Sequence, residues 1–124
     1  MNSSPIVNTL FTGEDSPIVL DLGTTLFSDL LDIVVGFRID DTLVKTMKKT
    51  ETGNNEIIVH PDSTTKCIAR LFSTETVDWT VDATAGVGRL ILEIDVVTDD
   101  DLFPDGKHEK QVIYLCDFSP TLVL

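Results

Sequence analysis

The strongest constraint in this chain is alternation. Ile33, Val35, Phe37 and Ile39 alternate with Asp32, Val34, Gly36, Arg38 and Asp40, and Leu90, Leu92, Ile94 and Val96 make a second apolar row. A period of two sends every second side chain to one face, so each run reads as a half-buried strand. The rhythm returns at 42–48, with Leu43, Lys45 and Met47 on one face and Val44, Thr46 and Lys48 on the other. It returns at 66–72, with Cys67, Ala69 and Leu71 against Ile68, Arg70 and Phe72. The last run, 109–118, places Val112, Tyr114, Cys116 and Phe118 together. No long segment keeps a helical period, which excludes a helix-rich domain.

Breakers separate these runs. Asp40-Asp41 offers a turn, since Asp tolerates left-handed backbone, and TGNNE at 52–56 and PDSTT at 61–65 are further breaks around the short strand IIVH at 57–60. Roughly six to eight strands at spacings of about 8–12 residues make a sandwich or a barrel. Asp outnumbers Glu by 15 to 6, and Asp suits turns while disfavouring helix and strand interiors. STETVDW at 73–79 breaks the rhythm differently: Ser73 can cap a helical turn, Glu75 falls where the dipole favours acid, and Val77 or Trp79 would plug the core beneath it.

The 124 residues fit one domain, divided into an extended arm at 1–22, a β-sandwich at 23–118 and a tail at 119–124. The arm carries two echoes, SPIVNTL and SPIVLDL, each beginning at a Pro that suits an edge strand. It lies on a sheet, either its own or a neighbour's. On this reading residues 1–22 can be deleted without unfolding the domain. Pro5, Ile6, Val7, Leu10 and Phe11 of the arm, with Leu122, Val123 and Leu124 of the tail, are the candidate interaction residues. They would pair with a neighbour's sheet edge or pack on their own domain.

The net charge of −12 disfavours nucleic acid and anionic membrane as partners and favours solubility. No apolar run approaches the ~18 residues of a membrane helix, and the first residues lack the basic start and long apolar stretch of a signal peptide. Cys67 and Cys116 sit in apolar runs and read as buried free thiols, with a single bridge between paired strands as the alternative.

TDDDLFPDGKHEKQ, 98–111, is the richest stretch in turn residues. With Gly106 set at the glycine position of an EF-hand loop, Phe103 and Val112 fall where carboxylates are required, so that loop is excluded. Asp105-Gly106 between two alternating runs is a hairpin signal, and the stretch is expected to be a solvated hairpin loop. A looser cation site among Asp99, Asp100, Asp101 and Asp105 is the alternative, and Phe103 at its tip is a further candidate contact. Catalytic patterns are sparse. His60 ends a strand before a Pro, His108 lies in the loop, and Gly86-Val87-Gly88 precedes a strand where a phosphate loop needs a helix. The expectation is no enzyme and no cofactor.

The order of parts carries a resemblance. A strand hairpin (DIVVGFRIDDTLVKTMKK), a short strand, a strand running into an acidic helical turn (CIARLFSTETVDW) and a long closing hairpin (RLILEIDVVTDDDLFPDGKHEKQVIYL) follow one another. Over about residues 27–118 this resembles the small immunoglobulin-like β-sandwich modules of tailed-bacteriophage virions, found at the N-terminus of baseplate upper proteins and tail fibres and as small head or tail proteins. The resemblance is architectural, with no diagnostic motif. It implies an antiparallel sandwich of about seven to eight strands with one short helical turn. It also implies a non-enzymatic virion protein made in the host cytoplasm. Such a protein would be a capsid-decorating or head-fibre subunit, or a tail or baseplate adaptor, packing against other virion proteins and its own copies. A carbohydrate- or ligand-binding sandwich, calcium-dependent through the acidic loop, is the alternative.

Overall fold

The computed structural model describes residues 2–4, 9–79 and 87–119. They form β1 (Asn2–Ser4), β2 (Thr9–Phe11), β3 (Ser16–Asp21), β4 (Leu30–Ile39), β5 (Thr42–Lys48), β6 (Ile58–His60), β7 (Ser63–Leu71), β8 (Gly88–Asp100) and β9 (Phe103–Ser119). A single helical turn, α1 (Ser73–Thr76), follows β7. One sheet has the order β1-β3-β7-β6 and the other β2-β9-β8-β4-β5. The chain changes sheet after β1, β2, β3, β5 and β7, and the pairs β4–β5, β6–β7 and β8–β9 are antiparallel neighbours. This is the strand order of an immunoglobulin-like sandwich with the extra edge strand of the variable type. One pairing departs from the expected antiparallel pattern: β2 runs parallel to β9.

β3 and β8, which would carry the inter-sheet disulfide of antibody domains, contain no Cys, and Cys67 and Cys116 are buried free thiols. Packing alone closes the core. Ile33, Val35, Phe37 and Ile39 of β4 face Leu20, Cys67, Ala69 and Leu71 of the opposing sheet within one cluster. Trp79 leaves α1 and tilts against Phe118, with ring centroids 5.9 Å apart. Of the two plugs the sequence offers, Trp79 is buried and Val77 is exposed.

Two rows break their alternation at bulges. Phe37 pairs with Lys45 and Arg38 with Leu43, so Val44 is an extra residue and Leu43 turns outward while Lys45 and Met47 stay inside. Leu90 pairs with Cys116 and Ile91 with Tyr114, so Leu115 is extra and Tyr114 and Val112 turn outward. A one-residue slip moves every following side chain to the opposite face.

Residues 9–22 lie on the chain's own sheets. β3 pairs with β7 from Ser16–Leu71 to Asp21–Lys66, with β1 on its other side, and Ile18 and Leu20 enter the core. The turn between β2 and β3 also clamps α1. Asp15 Oδ1 accepts from the Ser73 N–H at 2.6 Å, Thr76 donates to the Glu14 carbonyl at 2.9 Å, and Thr12 donates to the Thr76 carbonyl at 2.7 Å. Ser73 is therefore the first residue of the turn, and the cap comes from Asp15, far away in sequence.

Lys45 points into the sandwich from the edge strand β5. Its Nζ lies 2.5 Å from Glu75 Oε1, donates to the Arg70 carbonyl at 3.2 Å and sits 5.2 Å from the centre of the Phe72 ring. An inward charge on an edge strand discourages foreign pairing. A buried cation stripped of its carboxylate is costly, and Glu75 is part-exposed, so Glu75→Ala is expected to cost about 2 kcal/mol in denaturant unfolding. Lys45→Met, which removes the charge and keeps the volume, is expected to be close to neutral in the same measurement.

Candidate interaction surface

The 98–111 stretch is more ordered than a solvated loop. Asp100 pairs with Phe103, so the hairpin turns at Asp101 and Leu102, and the Leu102 N–H donates to Asp100 Oδ1 at 2.8 Å. That side-chain bond makes Asp100 the turn-setting residue. Asp105-Gly106 instead lies within β9. There Thr98 pairs with Lys107, and a two-residue step on β8 faces a four-residue step on β9. Gly106 takes φ 97° and is buried against Val97 and Leu31. The correction has a physical cause: the left-handed glycine is used for the bulge and a close approach of side chains, and not for the reversal. Among the described residues no group of three His, Cys, Asp or Glu is placed to hold a metal ion.

The outer face of the five-stranded sheet is built by register. Leu43, Arg38, Ile91 and Tyr114 form one row across β5, β4, β8 and β9; Thr46, Gly36, Glu93 and Val112 form the next; Lys48, Val34, Asp95 and Lys110 form the third. Val112 is 70% exposed and Tyr114 55%, although the alternation groups both on one face with Cys116 and Phe118, which are buried. Gly36 contributes no side chain, which leaves a shallow groove of about 360 Å³ between Leu43 and Val112. An ion pair and a hydrogen bond border it: Arg38 Nε lies 2.5 Å from Glu93 Oε1, and His108 Nδ1 lies 2.8 Å from Asp95 Oδ2. The Tyr114 hydroxyl donates to Asp117, and that bond raises its pKa above the ordinary tyrosine value.

One side of β9 adds to this surface. β2 covers it only from Asp117 to Ser119, and no other described strand pairs with it on that side. A free strand side presents unpaired N–H and C=O groups in a row. The other edges are less open: β1, β2 and β6 have three residues each, and β5 carries Lys45 inward and Lys48 outward.

The candidate contacts fall in different places. Leu10 is 1% exposed and belongs to the chain's own core, so it offers no surface while the sandwich is folded. Phe11 is half-buried, with its N–H donating to Glu14 Oε1 at 3.1 Å. Phe103 is 49% exposed at the hairpin tip, beside Leu102 at 82%. Pro5, Ile6, Val7, Leu122, Val123 and Leu124 lie outside the described residues. Burial pushes the Cys67 thiol up to about 12, so it stays protonated at neutral pH and is a poor nucleophile. His60 Nδ1 accepts from the Asp62 N–H in the turn before β7. No helix among the described residues is long and apolar enough to cross a membrane.

Compared with protein-family models, with curated proteins and with solved structures, the chain matches none of them.

Proposed function

We propose that this chain is a non-enzymatic structural subunit of a tailed-phage virion that acts by packing against neighbouring subunits. A place as a decorating or head-fibre subunit, or as a tail or baseplate adaptor, suits an acidic immunoglobulin-like sandwich. The observation that carries the packing role is the β9 strip, where a long strand side unpaired among the described residues runs beside Val112 and Tyr114. Large exposed apolar side chains beside an unpaired edge suit protein contact better than solvent. The virion setting rests on the order of strand hairpins and the acidic turn in the sequence.

A lysate of the source, sedimented and analysed by mass spectrometry, tests this reading. The chain is expected in the particle fractions at a fixed ratio to the major shell protein. Recovery in the light fractions alone would overturn the virion role.

A further inference from the structure

We infer that two copies of this chain join edge to edge through antiparallel pairing of β9, with the two-fold axis at Val112. The inference rests on the reading of the chain as a packing subunit and names its first partner as a second copy of itself.

Three observations converge on this edge. From Lys107 to Cys116, β9 pairs with β8 on one side and with no described strand on the other. The charge of the strip also differs from that of the chain. Between residues 106 and 116 there are two lysines, Lys107 and Lys110, and one acid, Glu109, in a chain whose net charge is −12. Two acidic copies repel least where the acid is scarce. Finally, Val112 and Tyr114 stand on the outer face directly beside the free side, so pairing covers apolar surface as well as backbone.

The register follows from the side chains. A two-fold axis that keeps the outer faces together must pass through a residue, because alternate residues share a face. Centring at Glu109 or Lys110 sets like charges opposite one another. Centring at His108 draws in Pro104, which has no N–H, and the Gly106 bulge. Centring at Ile113 leaves only three residues of each copy, 112–114, in phase before the Leu115 bulge, and centring at Gln111 sets Val112 against a lysine. Centring at Val112 sets valine on valine and Lys110 against Tyr114 of the second copy, and keeps five residues of each copy, 110–114, in phase before the Leu115 bulge. The result is an isologous contact that makes one continuous sheet from two five-stranded sheets.

The test uses the full chain. Sedimentation velocity over a dilution series is expected to show a dimer that dissociates on dilution. Val112→Lys is expected to raise the dissociation constant at least tenfold, with the melting temperature of the dilute monomer unchanged. Val112→Cys under mild oxidation is expected to give a covalent dimer on a non-reducing gel, because the substituted side chains face each other across the axis. Glu109→Cys, displaced from the axis, is expected to give none. A monomer at every concentration overturns the self-pairing, and so does cross-linking through position 109 in place of 112. A monomer that still travels with particles would leave the packing-subunit reading standing. A dimer confined to the light fractions would remove the virion reading and leave the self-pairing intact.

Discussion

A chain lacking residues 1–22 is expected to lose cooperative folding altogether. The deletion removes β3, which lies between β1 and β7, and with it Leu10, Ile18, Leu20 and Leu22 of the core. Each buried aliphatic side chain contributes about 1.5–3 kcal/mol, so four of them match a typical total stability of about 5–15 kcal/mol. β7 would keep only the three-residue β6 as a neighbour, and the core face of the other sheet would meet water. α1 would also lose the Asp15 carboxylate that caps it and the Glu14 carbonyl that accepts from Thr76. Far-ultraviolet circular dichroism with a thermal ramp checks this: no sigmoidal transition is expected. A cooperative melt within a few degrees of the full chain would restore the view of 1–22 as a detachable arm.

The second large effect is expected at Gly106. An added Cβ would stand 2.6 Å from Val97 Cγ1, 3.0 Å from Leu31 Cδ1 and 3.3 Å from the Thr98 carbonyl oxygen. A β-branched Val side chain has little room to turn away. The φ of 97° adds backbone strain for any residue with a side chain. Overpacking and left-handed strain together are expected to make Gly106→Ala cost about 2–4 kcal/mol. Urea unfolding should show a lower midpoint with an unchanged slope. A midpoint equal to that of the parent would mean that the hairpin relaxes freely around this position and that Gly106 is an ordinary loop glycine.

Gly106 also marks where sequence reading reaches its limit. The regular rows were legible: Ile33, Val35, Phe37 and Ile39 on β4 and Cys67, Ala69 and Leu71 on β7 are buried as their alternation requires. So was the turn at Asp40, whose φ of 53° uses the left-handed tolerance of Asp. These features depend on neighbours in sequence. The bulges do not. Nothing local marks Val44 or Leu115 as extra residues, because a bulge is decided by the ladder on the partner strand. The outward turn of Leu43, Val112 and Tyr114 was hidden for that reason, and the candidate surface with it. The cap of α1 was equally out of reach, since Asp15 and Ser73 meet only through the crossing of the chain between sheets. The Asp105-Gly106 pair carried a true local signal for left-handed backbone, and the fold spends it on a bulge while Asp100 sets the reversal.

Amide hydrogen exchange on the full chain, read residue by residue at low and high protein concentration, tests the central claim most directly. The claim is a sandwich closed by its N-terminal strands and left unpaired by the other described strands along one side of β9 from Lys107 to Cys116. Amides of β3, β7 and β8 are expected to exchange slowest, near the global unfolding limit. Along Lys107–Cys116 alternate amides are expected to exchange fast in dilute solution, since every second N–H of an edge strand faces away from its neighbour. Those same amides should gain protection as concentration rises. Fast exchange throughout β3, or uniform protection along β9 in dilute solution, would contradict the account.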